Sequence, residues 1–378
     1  MTDVYIIDPY TLMTIGIIDN YQSIIWRPSY SEIGDFEIYA AATPELIGQL
    51  YYRESTTYVF NWLVRSCDIS EDGNIYKNVM MIKSVKLNTD VENGDHLTIT
   101  GCELKGVLNQ RIVWDTYDKS TNVDLYLHGL VSDNCITHRH EGRLIPNLKL
   151  DVAEVFPEKI DKQITFDQLG DAVTDICITH NIGWEIYIDK STFNMENGDF
   201  GSMYFRVYKG VDRSYGQTER PYVVFSDEFE NLYNTEYQLS VEGCANHTLI
   251  GGEGEGNARA FTSYGNEYYF SRFEVFTDAK DITSSVENAD GTTTKLTSAQ
   301  YTERLREKGK ENVVARSYTE SFVCEVISDV TFKYKEDFYL GDIVTVINKY
   351  GIAQNIRVTS AIESEDENGV KLVPQFNI

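Results

Sequence analysis

The chain has 378 residues, 42% of them hydrophobic and 24% charged, so it is a globular protein with room for two or three domains rather than a disordered one. Its formal net charge of −26 excludes a protein that grips nucleic acid, which needs clustered Lys and Arg, and one that docks on anionic lipid. The 26 Tyr and 17 Phe favour strands, and the six scattered cysteines, without a CxxC pair, read as free thiols rather than a disulfide framework.

The N-terminus, "MTDVYIIDPYTLMTIGII", has no basic leader, and nowhere do eighteen apolar residues run together, so neither a signal peptide nor membrane insertion is expected. Residues 1–113 read as strands: "VYIID", "TIGIID", "SIIW", "DFEIYAA", "YVFNWLV", "VMMIKSVKL" and "HLTITG". Short segments between turn signals suggest a barrel or sandwich. "DVENGD" predicts a hairpin turn, because Asn93-Gly94 tolerates the positive φ of tight turns.

Residues 114–215 change period. "TNVDLYLHGLV" sets Val123, Leu127, Leu130 and Val131 on one helical face. A second helix carries Phe166, Leu169, Ala172, Val173, Ile176 and Cys177 as an apolar stripe; Thr165 and Gln168 fit a capping box, and Asn181 and Gly183 end it. "WEIYID" and "MYFRVYKG" come next as strands around the turn-rich "NMENGDFG", completing an α/β unit inserted between β parts.

Residues 216–378 return to strands: "YVVFS", "YQLSV", "HTLIGG", "YYFSRFEVF", "ESFVCEVI", "DIVTVIN" and "IRVTSAI". A helix over 298–314, capped by Thr297 and Gln300, interrupts them inside an insertion at about 251–315; its charged interior predicts a solvated helix with one thin apolar edge. The fold class is therefore mainly β with an α/β insertion, an α+β multidomain chain. A faint repeat joins its ends. "IKSVKLNTDVENGDHLTIT" (82–100) and "VTSAIESEDENGVKLVPQF" (358–376) both read strand, acidic linker, Glu-Asn-Gly turn, strand, as a duplicated β-barrel would.

The candidates for chemistry are few. In "LIGGEGEGNARAF" (249–261), Gly252, Gly254 and Gly256 begin a dinucleotide fingerprint, but Asn257 stands where its last glycine should. Glu253 and Glu255 would repel a phosphate, and the residues after Asn257 are strand-like, so the stretch reads as a bulge permitting close backbone approach. Cys135, His138 and His140 in "CITHRH" are the best metal candidates, yet three ligands at that spacing match no structural zinc pattern and the histidines read as surface residues. Cys244 and His247 read as structural rather than as a thiolate–imidazole pair. No GxSxG or HExxH occurs. The expectation is no catalytic residue, no metal and no cofactor.

Several stretches, in order, carry a resemblance: "IGIIDNYQSIIWRPSYSEIGDFEIYAAATPE" (15–45), "LTITGCELKGVLNQRIV" (97–113), "ITFDQLGDAVTDICITHNIGWEI" (164–186), "VYKGVDRSY" (207–215), "VVFSDEFENLYNTEY" (223–237), "LIGGEGEGNAR" (249–259), "RFEVFTDAKDI" (272–282) and "YLGDIVTVINKYGIAQNIRVTSAIE" (339–363). The chain resembles siphovirus-type tail-tip proteins, the phage and prophage baseplate hubs, and the N-terminal structural part of tail-associated lysins. The resemblance implies two barrel-like hub domains per subunit and a homotrimer whose six such domains form a pseudo-hexameric ring continuing the tail tube. It implies partners as well: a distal tail or tube-initiator protein above, and a tip, spike or fibre protein below. DNA would only pass the lumen, and the protein would sit at the virion tail tip after synthesis in the bacterial host cytoplasm. Because the chain stops at "VPQFNI", without an appended hydrolase, no lytic activity is expected.

Two other readings compete. A carbohydrate-binding or carbohydrate-active β protein would use a cleft lined by Trp26, Trp62 or Trp184. A contractile injection device such as a tail-like bacteriocin would use the same hub and differ in its neighbouring genes.

Overall fold

The computed structural model describes residues 2–51, 60–91, 94–287, 292–326 and 331–377. The N-terminal part contributes β1 (Val4–Ile7), β2 (Thr14–Ile18), β3 (Tyr21–Arg27), β4 (Asp35–Ala41), helix α1 (Pro44–Tyr51), β5 (Trp62–Arg65), β6 (Ile75–Tyr76), β7 (Met80–Asn88) and β8 (His96–Glu103). Period-2 patterning is plain in β3 and β4. In β4, Phe36, Ile38 and Ala40 are buried while Asp35 and Glu37 face water. β7 and β8 form the expected hairpin; Gly94 adopts φ 81°, and Asn93 of that turn lies outside the described residues. Sequence reading passes over α1. The Thr43 hydroxyl accepts a bond from Leu46 N at 3.1 Å, Pro44 occupies the first turn, and Leu46 and Leu50 are buried in the core cluster that also holds Ile18, Ile24 and Trp26.

The central part holds β9 (Tyr117–Asn122), α2 (Val123–Val131), β10 (Leu148–Leu150), β11 (Lys159–Ile164), α3 (Leu169–His180), β12 (Gly183–Asp189) and β13 (Ser202–Tyr208). Its sheet runs β10-β13-β12-β6, so a short strand from the N-terminal part completes it, and β9 pairs β11 separately. The α2 stripe of Val123, Leu127, Leu130 and Val131 is buried as expected, against α3, Trp184 and Phe205. The expected capping box of α3 does not form. Phe166 turns the backbone to φ 64° and points to solvent, so the helix starts one turn later than the apolar spacing implied. Gln168 holds the cap position without a side-chain bond, and the Thr165 hydroxyl donates instead to Thr116 Oγ1 at 3.1 Å. Asn181 ends α3 in the left-handed region, as its residue type predicts.

The C-terminal part contains β14 (Val224–Ser226), β15 (Leu232–Ser240), β16 (His247–Gly251), β17 (Phe261–Tyr264), β18 (Glu274–Asp278), β19 (Ser285–Glu287), β20 (Thr293–Lys295), α4 (Ser298–Val314), β21 (Thr319–Val326), β22 (Ile343–Ile347), β23 (Ala353–Asp366) and β24 (Gly369–Asn377). α4 has the predicted ends and a complete Thr297–Gln300 capping box. "YYFSRFEVF" is not one strand: Tyr269 sits at φ 55° in a tight turn over 269–271, which leaves β18 alone extended. Among the described residues, no helix is long and apolar enough to cross a membrane.

One sheet joins the two ends of the chain, in the order β15-β21-β24-β23-β3-β4-β8-β7-β5-β1-β2, with β22 beside β23 and β14 beside β22. It contains the same path twice. The run β3-β4-β8-β7-β5 is antiparallel at every step, and so is β15-β21-β24-β23-β22. One rung crosses Trp26, Phe36, Gly101 and Ile82 in the first path; Tyr237, Phe322, Phe376 and Val358 form its counterpart. Immediately beyond it, each path carries a register shift, between Ile82 and Ser84 in one and between Val358 and Ser360 in the other. A bulge leaves a residue unpaired and sharpens the twist. The same defect at the same place in two dissimilar strands marks one design used twice, and it falls where the sequence repeat aligns 82–84 with 358–360. Consecutive strands lie at the ends of both paths: β2 and β3, separated by Asp19 and Asn20, and β14 and β15.

Candidate functional site

The stretch that most suggested a ligand is folded onto itself. The Arg259 guanidinium donates to the carbonyls of Gly251 at 2.7 Å and Gly252 at 3.0 Å, and it pairs with Asp278. Loop amides are spent internally: Gly252 N–H reaches Ala260 O at 2.8 Å, Ala260 N–H reaches Glu253 O at 2.9 Å, and Glu253 N–H reaches the Tyr301 hydroxyl at 2.7 Å. A Cβ on Gly252 would stand 2.5 Å from that hydroxyl. Glycine here lets the loop sit on α4. Amides committed in this way do not cradle an anion.

Cys135, His138 and His140 are not gathered either. Among the described residues, no three His, Cys, Asp or Glu side chains lie close enough to hold a metal ion. Burial pushes the Cys135 thiol up to about 12, with Arg111 and Arg143 pulling the other way, so the thiolate a metal needs is strongly disfavoured. His138 is buried rather than on the surface. Its Nδ1 accepts the His140 backbone N–H at 3.0 Å, and burial, then Arg143, lowers its pKa. His247 opens β16 in the interior, with Cys244 before the strand. Trp26, Trp62 and Trp184 are all core residues, and the Trp26 and Trp184 ring nitrogens donate to Asn78 O at 3.1 Å and Ser31 O at 2.7 Å. Trp62 also borders a cavity of about 350 Å³ with Tyr10, Met81 and Arg111.

What the fold does build is a polar junction. β23 pairs with β22 through Ala353–Arg357, then with β3 through Glu363–Asp366 against Trp26–Ser23, so its tip welds the two strips together. Around that weld, Arg65 donates to Asp68 at 2.7 Å and to Glu363 at 2.7 Å. Lys335 reaches the same two carboxylates at 2.7 and 3.0 Å. Asn78 adds a bond to Asp68, and the Arg65 guanidinium lies 5.1 Å from the Trp26 ring centroid. Burial would raise the Asp68 pKa, but Arg65 and Lys335 outweigh it and hold the carboxyl at about 2. Beyond the ion pairs, Glu365 accepts from the Tyr21 hydroxyl at 2.9 Å and from Thr2 N–H at 3.0 Å.

A cavity of about 520 Å³ opens beside this cluster, between all three parts of the chain. Its carboxylates are engaged: Asp68 as above, Glu185 by Arg206 at 3.4 Å, and Asp342 by Arg213 Nε at 2.8 Å and Val211 N–H at 2.9 Å. Two of its three phenols, Tyr208 and Tyr334, are raised well above the ordinary range by burial, then by neighbouring carboxylates. These ion pairs hold the three parts of the chain together around the cavity.

A second polar contact runs along one side of α4, whose Glu303 and Arg306 stay exposed as expected. Arg304 is buried and donates to Asp118 at 2.8 Å and Asp161 at 3.0 Å; His180 Nε2 lies 3.1 Å from Glu307; Lys162 pairs with Glu311. The helix charges face β9, β11 and α3, partners no local pattern could supply. Sequence reading missed both ionic contacts, because their members lie far apart in the chain. The repeat of 82–100 and 358–376 pointed to a duplicated module, not to this weld.

Comparison with known proteins agrees with this architecture. The family model described as Siphovirus ReqiPepy6 Gp37-like protein matches residues 3–376. No curated protein matches the chain. Among solved structures, the tail protein from Neisseria meningitidis MC58 is similar, with a TM-score of 0.56 and 10% identity, covering 100% of this chain and 96% of that one. So is the prophage MuSo2 43 kDa tail protein from Shewanella oneidensis, with a TM-score of 0.54 and 10% identity, over 100% and 98%. At such identity the likeness is one of fold.

Proposed function

Because the chain belongs to the Siphovirus ReqiPepy6 Gp37-like family of phage tail proteins, we propose that this structural tail protein is a baseplate hub at the tail tip. Three copies form a ring of six β modules that continues the tail tube. The observation that carries this reading is the doubled strand path with its matched bulges, since a ring of six similar modules needs two per chain. The proposed division is an N-terminal β module over 1–113, an α/β insert over 114–215, and a second β module over 216–378 with an insertion at about 251–315.

The partners are a distal tail or tube-initiator protein on one side and a tip, spike or fibre protein on the other. The net charge of −26 per chain supports an acidic lumen that duplex DNA crosses without adsorbing. A surface potential calculated on the assembled ring that left the lumen neutral or basic would remove that role. The protein does no chemistry of its own in this reading, and release of peptidoglycan fragments by the purified chain would contradict it. Native mass measurement of the full chain tests the hub: the expected species holds three chains, and a fixed mass of two or four would overturn it.

A further inference from the structure

We propose that the cavity between the three parts of the chain binds an acidic peptide segment of a partner protein, whose carboxylates pair with Lys77 and Arg220. The site goes beyond the hub reading and does not depend on a ring. Over the whole chain, carboxylates outnumber cations by 59 to 33. Around this cavity the balance is reversed: Lys77, Arg206, Lys209, Arg213, Arg220 and Lys335 line it, against Asp68, Glu185 and Asp342. Each of those three carboxylates already has a cation within the fold.

The cavity therefore holds donors in excess. Among the described residues, the Lys77 and Arg220 side chains are exposed and have no partner. Arg213 bonds Asp342 through Nε alone, which leaves both of its terminal nitrogens unbonded there. The Tyr208 and Tyr334 hydroxyls also have no acceptor among the described residues, and burial keeps both protonated. A carboxylate is acceptor-only, and it supplies what such a set lacks. Between the charges the wall is apolar, with Ile69, Ile75, Val211 and Leu340. A volume of about 520 Å³ falls within the ordinary range of ligand pockets and admits several side chains rather than a single ion. Lys77 directly follows β6, and Arg220 belongs to the segment between β13 and β14, so the two cations come from different parts of the chain. Two carboxylates separated by an apolar residue on one peptide match that arrangement. A chain of net charge −26 repels such a segment elsewhere, which steers it to this spot.

The test titrates the peptide acetyl-Leu-Glu-Leu-Glu-amide into the full chain by calorimetry at low salt. The expected result is one peptide per chain, and no binding of acetyl-Leu-Gln-Leu-Gln-amide. Lys77→Ala and Arg220→Ala should each weaken binding about fivefold, and the double variant about twenty-five-fold, with circular dichroism unchanged because both side chains are exposed. Lys280→Ala, which removes an exposed cation outside the cavity, should bind as the wild type does. No binding of the Glu peptide at about 1 mM would overturn the inference. So would a double variant that binds as tightly as the wild type, or free glutamate that binds as tightly as the peptide. Each of those results leaves the three-chain mass measurement, and with it the hub reading, untouched.

Discussion

The two β strips share a strand path and a bulge, yet their edges have opposite fates. On the first, Trp26 is fully buried, packed on Phe36 with ring centroids 5.4 Å apart, and covered by Arg65 and the β23 tip. On the second, Tyr237 keeps the matching ring contact with Phe322 at 6.1 Å, but no strand lies outside it among the described residues. The hairpins differ to match: β23 presents Glu363 and Glu365 to the weld, while β7 has Leu87 and Thr89 at the corresponding places. The same backbone geometry therefore serves as a sealed joint or an open edge. At Trp26 the joint adds buried charge from Arg65 and Glu363, whereas β15 leaves Tyr233 and Leu239 exposed.

Equivalent substitutions should separate the two edges. Trp26→Ala should cost about 3–5 kcal/mol in urea unfolding, toward the upper end because it also removes the bond to Asn78 and the Arg65 stack. If Trp26→Ala cost no more than Tyr237→Ala, the claim that only the first edge is sealed would fail. Asp68→Ala comes next, at about 3–4 kcal/mol, because it strands Arg65 and Lys335 beside a lone Glu363. The same group predicts a pH dependence. Its folded pKa, about 2, lies below the ordinary 3.8, so its contribution is present above that ordinary value and is lost as pH falls toward about 2. Stability measured against pH should show that loss in the wild type and not in Asp68→Asn.

Arg304→Ala should cost about 2–3 kcal/mol, less than the weld, because Asp118 and Asp161 retain some water. Hydrogen exchange should localise the change to α4, β9 and β11; a uniform loss of protection would contradict the local contact. Tyr237→Ala should cost only about 1–2 kcal/mol in the isolated chain. Smallest of all, Thr297→Ala should cost about 1 kcal/mol through the lost cap, seen as earlier fraying of α4 in exchange.

Much of this was legible in the sequence where the information is local. β4, β8, β12 and β13 come from alternation, α2 from its apolar face, and α4 from both its period and its cap. The 82–100 and 358–376 similarity marked strands that occupy matching places and bulge at matching residues. What failed was set by single backbone torsions or by distant partners. Phe166 and Tyr269 adopt positive φ despite their bulky side chains, which displaced one helix start and broke one apparent strand. Arg65, Asp68, Lys335 and Glu363 come together only because β23 spans both strips, so their spacing in sequence carries no trace of the cluster. His138 read as a surface residue because a short polar loop was expected, whereas the turn tucks its ring inside.

The most direct test of the account is electron microscopy of the full chain at high protein concentration. The expected image is a ring of six similar lobes around an open channel, contributed by three chains. Particles without a channel, or with lobes in a number that three chains cannot supply in pairs, would contradict it.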